Sequence, residues 1–336
     1  MVLGVSVIIC CYNSAERLPE TLKHLANQQV AAEIPWEVIV VDNASTDDTA
    51  EVAKQEWAEY KVAADFYVLD ERQPGKTFAF DKGVAQANYE YIIICDDDNW
   101  LFADYVERAF KAMQANLKIG ALGGCGIFEP EQPVNVDILP YEISYVNGPQ
   151  TWAATDHWVY GAGSIYRRSL FIRLKDMGWQ QITTGRIGNK LISGEDVEIC
   201  FAIYLLGYDI IANDELKFKH FVPKKRQNIQ YISNLKYWQG YTNVLLMSYF
   251  FILNEDSRSL NKVLNSWLFG ITKSVAYQFV KAFVNNLSMQ KKTDIEKAFA
   301  VRLNTGAFNA LIKQRYQVVN HHNHLLGLLR SATITQ

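Results

Sequence analysis

The chain has 336 residues, 49% hydrophobic and 21% charged, which argues against a disordered chain and fits one large domain with an appendage. The formal net charge of −3 is unevenly divided, because residues 1–216 hold 16 Lys/Arg and 32 Asp/Glu whereas residues 217–336 hold 17 and 4. The acidic part and the basic part are therefore expected to meet different partners.

The sequence suggests a protein of a reducing compartment. The first apolar run has no basic segment before it, and no run of about 20 apolar residues occurs, so we expect neither a signal peptide nor a spanning helix. Four of the five cysteines lie in or beside apolar runs, which indicates buried free thiols and a cytoplasmic location. No CxxC pair or Cys/His cluster indicates zinc.

Apolar runs alternate with helical patterns over the first hundred residues. The predicted strands are 5–11, 36–43, 62–69 and 89–95, and the predicted helices are 13–29, capped by Asn13-Ser14, 48–60 and 74–88. This alternation predicts an α/β fold with a mostly parallel sheet between helices. Ligands of such sheets bind at the carboxyl ends of strands, where Asp42 and Asp96-Asp97-Asp98 stand.

The remaining elements divide the chain into two regions. The predicted helices are 101–116, one starting at Arg167-Arg168, and 195–206; the predicted strands are 119–128, 208–214 and 216–221; and 129–150 and 180–193 are predicted loops. After Pro223, helical patterns fill 227–253, 259–287 and much of 293–328. We therefore predict a catalytic domain over 1–225 and a basic, aromatic-rich helical region over 226–336.

Asp96-Asp97-Asp98 directly follows the fourth predicted strand. Adjacent like charges disfavour mutual ionisation, and a divalent cation removes this repulsion. Mg²⁺ and Mn²⁺ prefer oxygen ligands and take the rest of their coordination from water and substrate phosphates. The alternative is an acidic helix start before Trp100, where Asp complements the helix dipole. The strand-end position favours the site for a metal and phosphates.

Asp42 follows the second predicted strand in the same way. Its carboxylate can accept hydrogen bonds from a ribose hydroxyl or a base N–H group. The alternative is a helix cap built by Ser45, Thr46 and Asp47. Asp42 lies before that cap, so capping does not account for it.

Four motifs, in this order and spacing, resemble the N-terminal half of a family 2 glycosyltransferase with the GT-A fold. They are VSVIICCYN (5–13), VIVVDNASTDDT (38–49), PGKTFAFDKGVAQA (74–87) and YIIICDDDNW (91–100). The resemblance implies that Cys11, Tyr12 and Asn13 belong to the base pocket. It also implies that Asp42 contacts the base or ribose and that Lys76 approaches the ribose or phosphates.

The resemblance further assigns Asp96 and Asp98 to a DxD pair, with Asp96 nearer the ribose and Asp98 on Mn²⁺ or Mg²⁺. Asp97 is counted among the donor-binding residues. Asp81 departs from the Asn of many relatives, and we interpret it as an exposed helix residue. The implied donor is a nucleotide-diphosphate-sugar, with UDP the commonest nucleotide of the family.

The second half continues the resemblance. Ser193-Gly194-Glu195-Asp196-Val197 matches an acidic pair that begins a helix in this family, and GAGSIYRRSL (161–170) resembles its acceptor-side segment. Direct displacement at an anomeric carbon needs a base to take the acceptor hydroxyl proton. The resemblance assigns that base to Asp196, with Glu195 as its neighbour or as an acceptor contact. Capping of the helix start is the alternative for either residue.

Three further groups have two interpretations each. In many relatives a His at the position of His220 approaches the metal or diphosphate, but a lone His is commonly a surface or packed residue. The basic run 224–226 could neutralise the charge of the leaving group or be plain surface charge. Four aromatic residues could stack on an acceptor sugar or simply fill a core; they are Trp152, Trp158, Tyr160 and Trp179.

The carboxyl-terminal region suggests a surface for lipids or for protein. One helical stripe in 267–284 is apolar, formed by Leu268, Ile271, Val275, Phe279 and Phe283. Together with the basic charge, this stripe suits contact of residues 227–287 with an anionic membrane surface as well as it suits packing against protein. The alternative is a helical bundle that packs on the catalytic domain or forms a homo-oligomer. We expect no nucleic-acid partner, since no recognised binding module accompanies the charge.

The prediction is thus a metal-dependent, inverting glycosyltransferase that acts on a glycan or lipid-linked acceptor in bacterial surface polysaccharide synthesis, at the inner face of the cytoplasmic membrane. The first alternative is a nucleotidyltransferase acting on a sugar phosphate, but no Gly-rich basic loop follows the first strand. The second is a non-catalytic membrane-associated binding protein with a degenerate domain. The intact acidic motifs argue against it.

Overall fold

The computed structural model describes residues 2–186, 191–285 and 295–334. The chain forms two compact units, one of Met1–Gly178 with Glu195–Gln227 and one of Trp179–Gly194 with Asn228–Gln336. Some of the predicted features lie outside the described residues. They are part of the predicted loop 180–193, the segment between the last two helical patterns, and the side chains of Val275, Phe279 and Phe283.

The first unit contains one sheet and seven α-helices among its described residues. The strands are β1 (Val2–Cys11), β2 (Trp36–Asn43), β3 (Asp65–Glu71), β4 (Tyr89–Asp96), β5 (Asn99–Leu101), β6 (Ile119–Pro130), β7 (Ile165–Arg167) and β8 (Asp209–Val222). The helices are α1 (Leu18–Ala26), α2 (Thr49–Tyr60), α3 (Lys76–Gln86), α4 (Tyr105–Ala115), α5 (Thr151–Thr155), α6 (Arg168–Asp176) and α7 (Glu195–Leu205).

The strand order of the sheet is β3-β2-β1-β4-β7-β6-β8-β5. β3, β2, β1 and β4 run parallel, as do β6 and β8, whereas β7 and β5 pair antiparallel with their neighbours. The predicted fold class, a mostly parallel sheet flanked by helices and followed by a helical region, is confirmed.

The core explains why β1 lies inside the sheet, between β2 and β4. Val5, Val7, Ile9 and Cys11 alternate along β1, are almost fully buried and belong to the main hydrophobic cluster. The intervening residues of β1 are also mostly buried, as expected for a parallel strand covered by helices on both faces. Arg167 is buried as well, and it donates to the carbonyls of Met113 and Asn116 at the end of α4 and of Ile119 at the start of β6.

Several predicted elements differ from the observed ones: the third strand, predicted over 62–69, spans Asp65–Glu71, and the pattern 227–253 forms two helices. The first helix begins at Leu18, and Asn13 and Ser14 do not cap it. Their side chains are used elsewhere: Asn13 accepts a hydrogen bond from the backbone of Thr46, and Ser14 donates to Asp97. The two strands predicted over 208–221 form the single strand β8, which changes register against β6 instead of breaking.

The second unit is helical. It contains α8 (Ile229–Leu245), α9 (Met247–Leu253), α10 (Leu260–Asn285), α11 (Ile295–Lys313) and α12 (Arg315–Ile334). A Cβ atom on Gly240 would lie 1.9 Å from the carbonyl oxygen of Leu303, and one on Gly306 would lie 1.8 Å from that of Tyr237. Both glycines are therefore required for the close approach of α8 and α11. None of the described helices has the length and apolarity needed to span a bilayer.

The segment 179–194, predicted as part of the catalytic domain, clusters with the helical unit. Ile182 is buried in its core, and the carbonyl of Gln180 lies 3.1 Å from Nε2 of His321. This segment thus contacts helices that follow it in the sequence, from Thr242, 49 residues after Ser193, to His321, 141 residues after Gln180.

Candidate active site

The predicted donor residues lie at the carboxyl ends of three neighbouring strands, and we call this end of the sheet the donor edge. Cys11 of β1 is in register with Asp42 of β2, and Cys10 is in register with Asp96 of β4. Oδ1 of Asp42 accepts a 3.3 Å hydrogen bond from the backbone of Ser45, so this carboxylate also holds the turn before α2. The sheet therefore brings Asp42 and Asp96 to one edge, two strands apart.

The three residues assigned to the base pocket are placed differently. The Cys11 side chain is buried in the core. The Tyr12 side chain is exposed. Asn13 adopts a left-handed conformation with φ of 49° and ties its loop to residues 45 and 46. No finding tests their contact with a nucleotide, and it stays a prediction.

Asp96 is paired with Lys76. Nζ of Lys76 lies 2.7 Å from Oδ1 of Asp96. Burial lowers the pKa of Lys76, but the carboxylates of Asp96 and Glu195 outweigh it and hold the pKa above its ordinary value. The ammonium group is therefore a permanent cation at the predicted donor edge.

The loop before Lys76 is fixed by Asn43, a residue that the sequence analysis did not single out. Its side chain donates to the carbonyls of Glu71 and Gln73 and accepts a 2.7 Å hydrogen bond from the backbone of Gly75. Gly75 has φ of 137°, a conformation that residues with a Cβ atom rarely adopt. Asn43 and Gly75 together set the position from which Lys76 reaches Asp96. The only signal in the sequence was a polar residue at a strand end.

Asp97 points away from Asp96 and towards α1. Its Oδ2 lies 2.5 Å from the guanidinium of Arg17 and also accepts from Ser14, while its carbonyl accepts from Thr21. Burial and the neighbouring Asp98 raise the pKa of Asp97, although Arg17 and Ser14 act in the opposite direction. Through these contacts the Asp97 carboxylate holds the acidic motif against the start of α1. Its predicted donor contact is not tested by any finding.

We expect Asp97→Asn to lower the free energy of unfolding by about 3 kcal/mol, because breaking a largely buried ion pair leaves the Arg17 guanidinium without its counter-charge. Arg17→Met combined with Asp97→Asn should cost less than the sum of the two single changes. Urea denaturation measures the free energy of unfolding of the two single variants and the double variant. Asp104→Asn, which breaks an exposed pair with Arg108, is the control and should cost less than about 1 kcal/mol. Additive losses would contradict the pairing.

Asp98 is almost fully buried between His220 and Arg226. Its Oδ1 lies 3.5 Å from Nε2 of His220, and its Oδ2 lies 3.1 Å from the guanidinium of Arg226. The pairing of β5 with β8 creates this contact, since Asn99 is in register with His220. Arg226 belongs to the basic run 224–226, and through Asp98 it contacts the acidic motif.

Asp196 stands in the first turn of α7. Its Oδ2 accepts a 2.7 Å hydrogen bond from the backbone of Gly161, and its Oδ1 accepts from the backbone of Val197 at 2.9 Å. Burial raises the pKa of Asp196, while these two hydrogen bonds and the charge of Lys76 act in the opposite direction. A carboxylate with a raised pKa is suited to accept a proton near neutral pH.

The residues available to a divalent cation are Asp98, His220 and Asp96. Two ligand atoms of one octahedral cation lie about 3 Å apart, close to the separation of Oδ1 of Asp98 and Nε2 of His220. Nδ1 of His220 is buried without a hydrogen-bond partner among the described residues. No group of three acidic, His or Cys side chains close enough to hold a metal occurs in the described ranges. The residues fit a cation that takes its remaining ligands from phosphates and water.

The family model for glycosyl transferase family 2 matches residues 6–175, which is half of the chain and includes the whole donor edge. This chain belongs to glycosyl transferase family 2. The membership confirms the family predicted from the four motifs and the predicted class, a glycosyltransferase.

Curated relatives agree with this membership. The chain is 24% identical over 262 residues to a poly-β-1,6-N-acetyl-D-glucosamine synthase of Staphylococcus epidermidis, a match covering 76% of this chain and 59% of the relative. It is 22% identical over 254 residues to the enzyme of that name from Staphylococcus aureus (strain COL), covering 74% and 57%. The chain thus spans less than three fifths of these relatives' length.

The fold is that of a mannosyltransferase from Pyrobaculum calidifontis solved in complex with GDP-mannose and Mn²⁺. The two structures superpose with a TM-score of 0.55 at 20% identity, over 98% of this chain and 86% of the other. The likeness confirms the predicted GT-A class of fold. The predicted site residues themselves are not tested by these comparisons.

Proposed function

We propose that this chain transfers a sugar from a nucleotide-diphosphate-sugar to an acceptor hydroxyl, with inversion at the anomeric carbon. The observation that carries the proposal is the position of Lys76. Its ammonium group bonds to Asp96 at the donor edge, and its charge also acts on Glu195 and Asp196 at the start of α7. Donor-side and acceptor-side carboxylates therefore belong to one electrostatic site.

In this mechanism Asp196 is the general base. The backbone N–H groups of Gly161 and Val197 fix the orientation of its carboxylate, and burial keeps its basicity above that of an exposed carboxylate. The acceptor hydroxyl gives its proton to Asp196 as its oxygen attacks the anomeric carbon from the face opposite the diphosphate. Lys76 stabilises the ionised form of the base and stays charged throughout.

Asp98 and His220 would hold the cation, with phosphate and water as its remaining ligands. Asp96, the third predicted ligand, is paired with Lys76 and completes no three-ligand group among the described residues. When bound, the cation would neutralise the charge that develops on the departing nucleoside diphosphate. Imidazole is a better ligand for transition metals than for Mg²⁺, so a site containing His220 favours Mn²⁺. Arg226 pairs with Asp98 and can turn to the diphosphate when phosphate oxygens compete for its guanidinium.

UDP-N-acetylglucosamine is our first choice of donor and a glycan our choice of acceptor, because the curated relatives are named for a polymer of N-acetylglucosamine. The test is a panel of UDP-, GDP-, dTDP- and CDP-sugars, each incubated with the chain and Mn²⁺, Mg²⁺ or EDTA. We expect metal-dependent release of one nucleoside diphosphate. Release of pyrophosphate from a nucleoside triphosphate and a sugar phosphate would favour the nucleotidyltransferase instead.

We also propose that the helical unit contacts the inner face of the cytoplasmic membrane. Residues 228–336 hold 12 Lys/Arg and 4 Asp/Glu, a charge complementary to anionic lipids. Phe269 of α10 and Tyr316 of α12 are 73% and 79% exposed. Large exposed aromatic side chains on a basic surface suit the boundary between headgroups and acyl chains.

The intact chain should bind vesicles that contain anionic phosphatidylglycerol and should not bind vesicles of phosphatidylcholine alone. Phe269→Ser with Tyr316→Ser should weaken the binding about tenfold, since both aromatic rings would leave the interface. Leu117→Ser, which removes a 70% exposed side chain of the first unit, is the matched control and should have no effect. Vesicle co-sedimentation provides the measurement. Equal binding to both vesicles would contradict the proposal.

A further inference from the structure

Three aromatic rings form a continuous ladder in the first unit. Trp152 and Trp158 have ring centroids 5.4 Å apart at an interplanar angle of 88°, and Trp158 and Tyr160 have centroids 5.1 Å apart at 78°. Trp152 is 48% exposed, and the other two rings are half-buried. A ring cluster that only fills a core would be buried, so the exposure of this ladder needs another explanation.

The edge-to-face geometry keeps ring faces available. In a face-to-face pair each ring covers one face of the other, whereas in an edge-to-face pair only one ring has a face covered. The indole N–H groups of Trp152 and Trp158 and the hydroxyl of Tyr160 make no hydrogen bond to the residues that the structure describes. Apolar faces beside unused donors are the combination that binds a sugar ring, which has apolar C–H faces and a rim of hydroxyl groups.

The backbone that carries the ladder is rigidly held. Gln150 is fully buried, its Nε2 donates to the carbonyl of Gly124, and its Oε1 accepts a 2.6 Å hydrogen bond from the backbone of Tyr160. Asp214 of β8 accepts from the backbone of Gln150 and from the hydroxyl of Thr151. Both ends of the ladder are therefore anchored to the sheet, and the rings need little ordering when a ligand binds.

The inner end of the ladder reaches the general base. Gly161, which follows Tyr160 directly, donates its backbone N–H to Asp196 at 2.7 Å. Burial and the charge of Asp196 raise the pKa of Tyr160 to about 12, so its hydroxyl stays a hydrogen-bond donor. The ladder thus runs from an exposed ring at Trp152 to the carboxylate that takes the acceptor proton.

We propose that Trp152, Trp158 and Tyr160 bind an acceptor oligosaccharide, with successive sugar rings packed along the ladder and the terminal hydroxyl delivered to Asp196. This inference rests on the proposed function. It narrows the proposed glycan acceptor to one of several sugars, because three rings in a row select such an acceptor over a single sugar or a lipid-linked phosphate without a glycan.

An array of bacterial polysaccharide fragments, from monosaccharides to pentasaccharides, tests the proposal with the full chain. The wild-type chain should bind at least one pentasaccharide tenfold or more tightly than the matching monosaccharide. Trp152→Ala and Trp158→Ala should each reduce pentasaccharide binding about tenfold and abolish the dependence on length. Trp158→Phe, which keeps a ring, should restore most of the binding. Phe102→Ala is the control, since Phe102 lines a separate depression with Glu20 and Lys23.

Unchanged pentasaccharide binding by both alanine variants would overturn the proposal, and so would a wild-type chain that binds no fragment. Release of nucleoside diphosphate from donor and water, without any acceptor, is measured in parallel. Phe102→Ala should keep the wild-type rate in that assay, because Phe102 lines a separate depression. Loss of donor turnover in the wild-type chain would instead refute the proposed function, so the two failures are distinguishable.

Discussion

Asp196→Asn is expected to reduce sugar transfer by about 10²- to 10⁴-fold while donor affinity stays within about twofold of the wild-type value. An amide cannot take the acceptor proton, but it has nearly the shape of the carboxylate. The variant should lose about 1 kcal/mol of stability, because Gly161 and Val197 both donate to this side chain and an amide offers only one acceptor atom. Nucleoside-diphosphate release with acceptor measures transfer, and calorimetry measures donor binding.

Two further variants sharpen this assignment. Glu195→Gln changes the neighbouring carboxylate, and the predicted preference for Asp196 as base requires a smaller loss of transfer in that variant. Asp209→Asn alters an exposed carboxylate at the start of β8 and should leave transfer unchanged. Full transfer by the Asp196 variant, or a larger loss in the Glu195 variant, would move the base to another residue.

The pH dependence of kcat/KM provides a second readout of the base. Burial raises the pKa of Asp196, so the proton-accepting form is lost at a higher pH than for an exposed Asp when the solution is acidified. Lys76 favours the ionised carboxylate, so Lys76→Met should raise the pKa of Asp196 and move the acidic limb of the profile to higher pH. An unmoved limb would show that Lys76 does not act on the base.

The positions of the main strands could be predicted from the sequence, because each strand is marked by the pattern of its own residues. A run such as WEVIVVDN is apolar, β-branched and bounded by turn residues, and β2 covers this run from Trp36 to Asn43. Placing Asp42 and Asp96 at one edge needed only the further rule that parallel strands end together. The meeting of Asp42 and Asp96 at the donor edge was therefore predictable from the sequence alone.

The contacts that distinguish the three acidic residues were not predictable in this way. Asp96, Asp97 and Asp98 are identical in type and adjacent in sequence, yet they pair with Lys76, Arg17 and Arg226 respectively. Arg226 and His220 reach Asp98 only because the three-residue strand β5 pairs with β8, a segment that follows it by more than 100 residues. No local pattern specifies such a pairing, and only the family resemblance pointed to His220.

Asp98→Asn is expected to lower transfer by about 10²- to 10³-fold even at saturating Mn²⁺, since a bound cation contributes several kcal/mol of charge stabilisation to the transition state. The amide removes a full negative charge from a nearly buried position and leaves Arg226 and His220 facing a neutral group. Calorimetric titration should therefore show Mn²⁺ binding weakened at least tenfold, both alone and in the presence of UDP.

Two comparisons separate loss of the metal ligand from loss of the fold. Asp98→Glu keeps the charge, so partial Mn²⁺ binding and partial transfer should return, whereas a merely structural role would make the longer side chain as harmful as the amide in this packed position. Asp104→Asn, on an exposed site of the same unit, should leave both measurements unchanged. If Asp98→Asn binds Mn²⁺ as the wild-type chain does, the cation is held elsewhere, and the buried contact with Arg226 becomes a structural ion pair like that of Arg17 with Asp97.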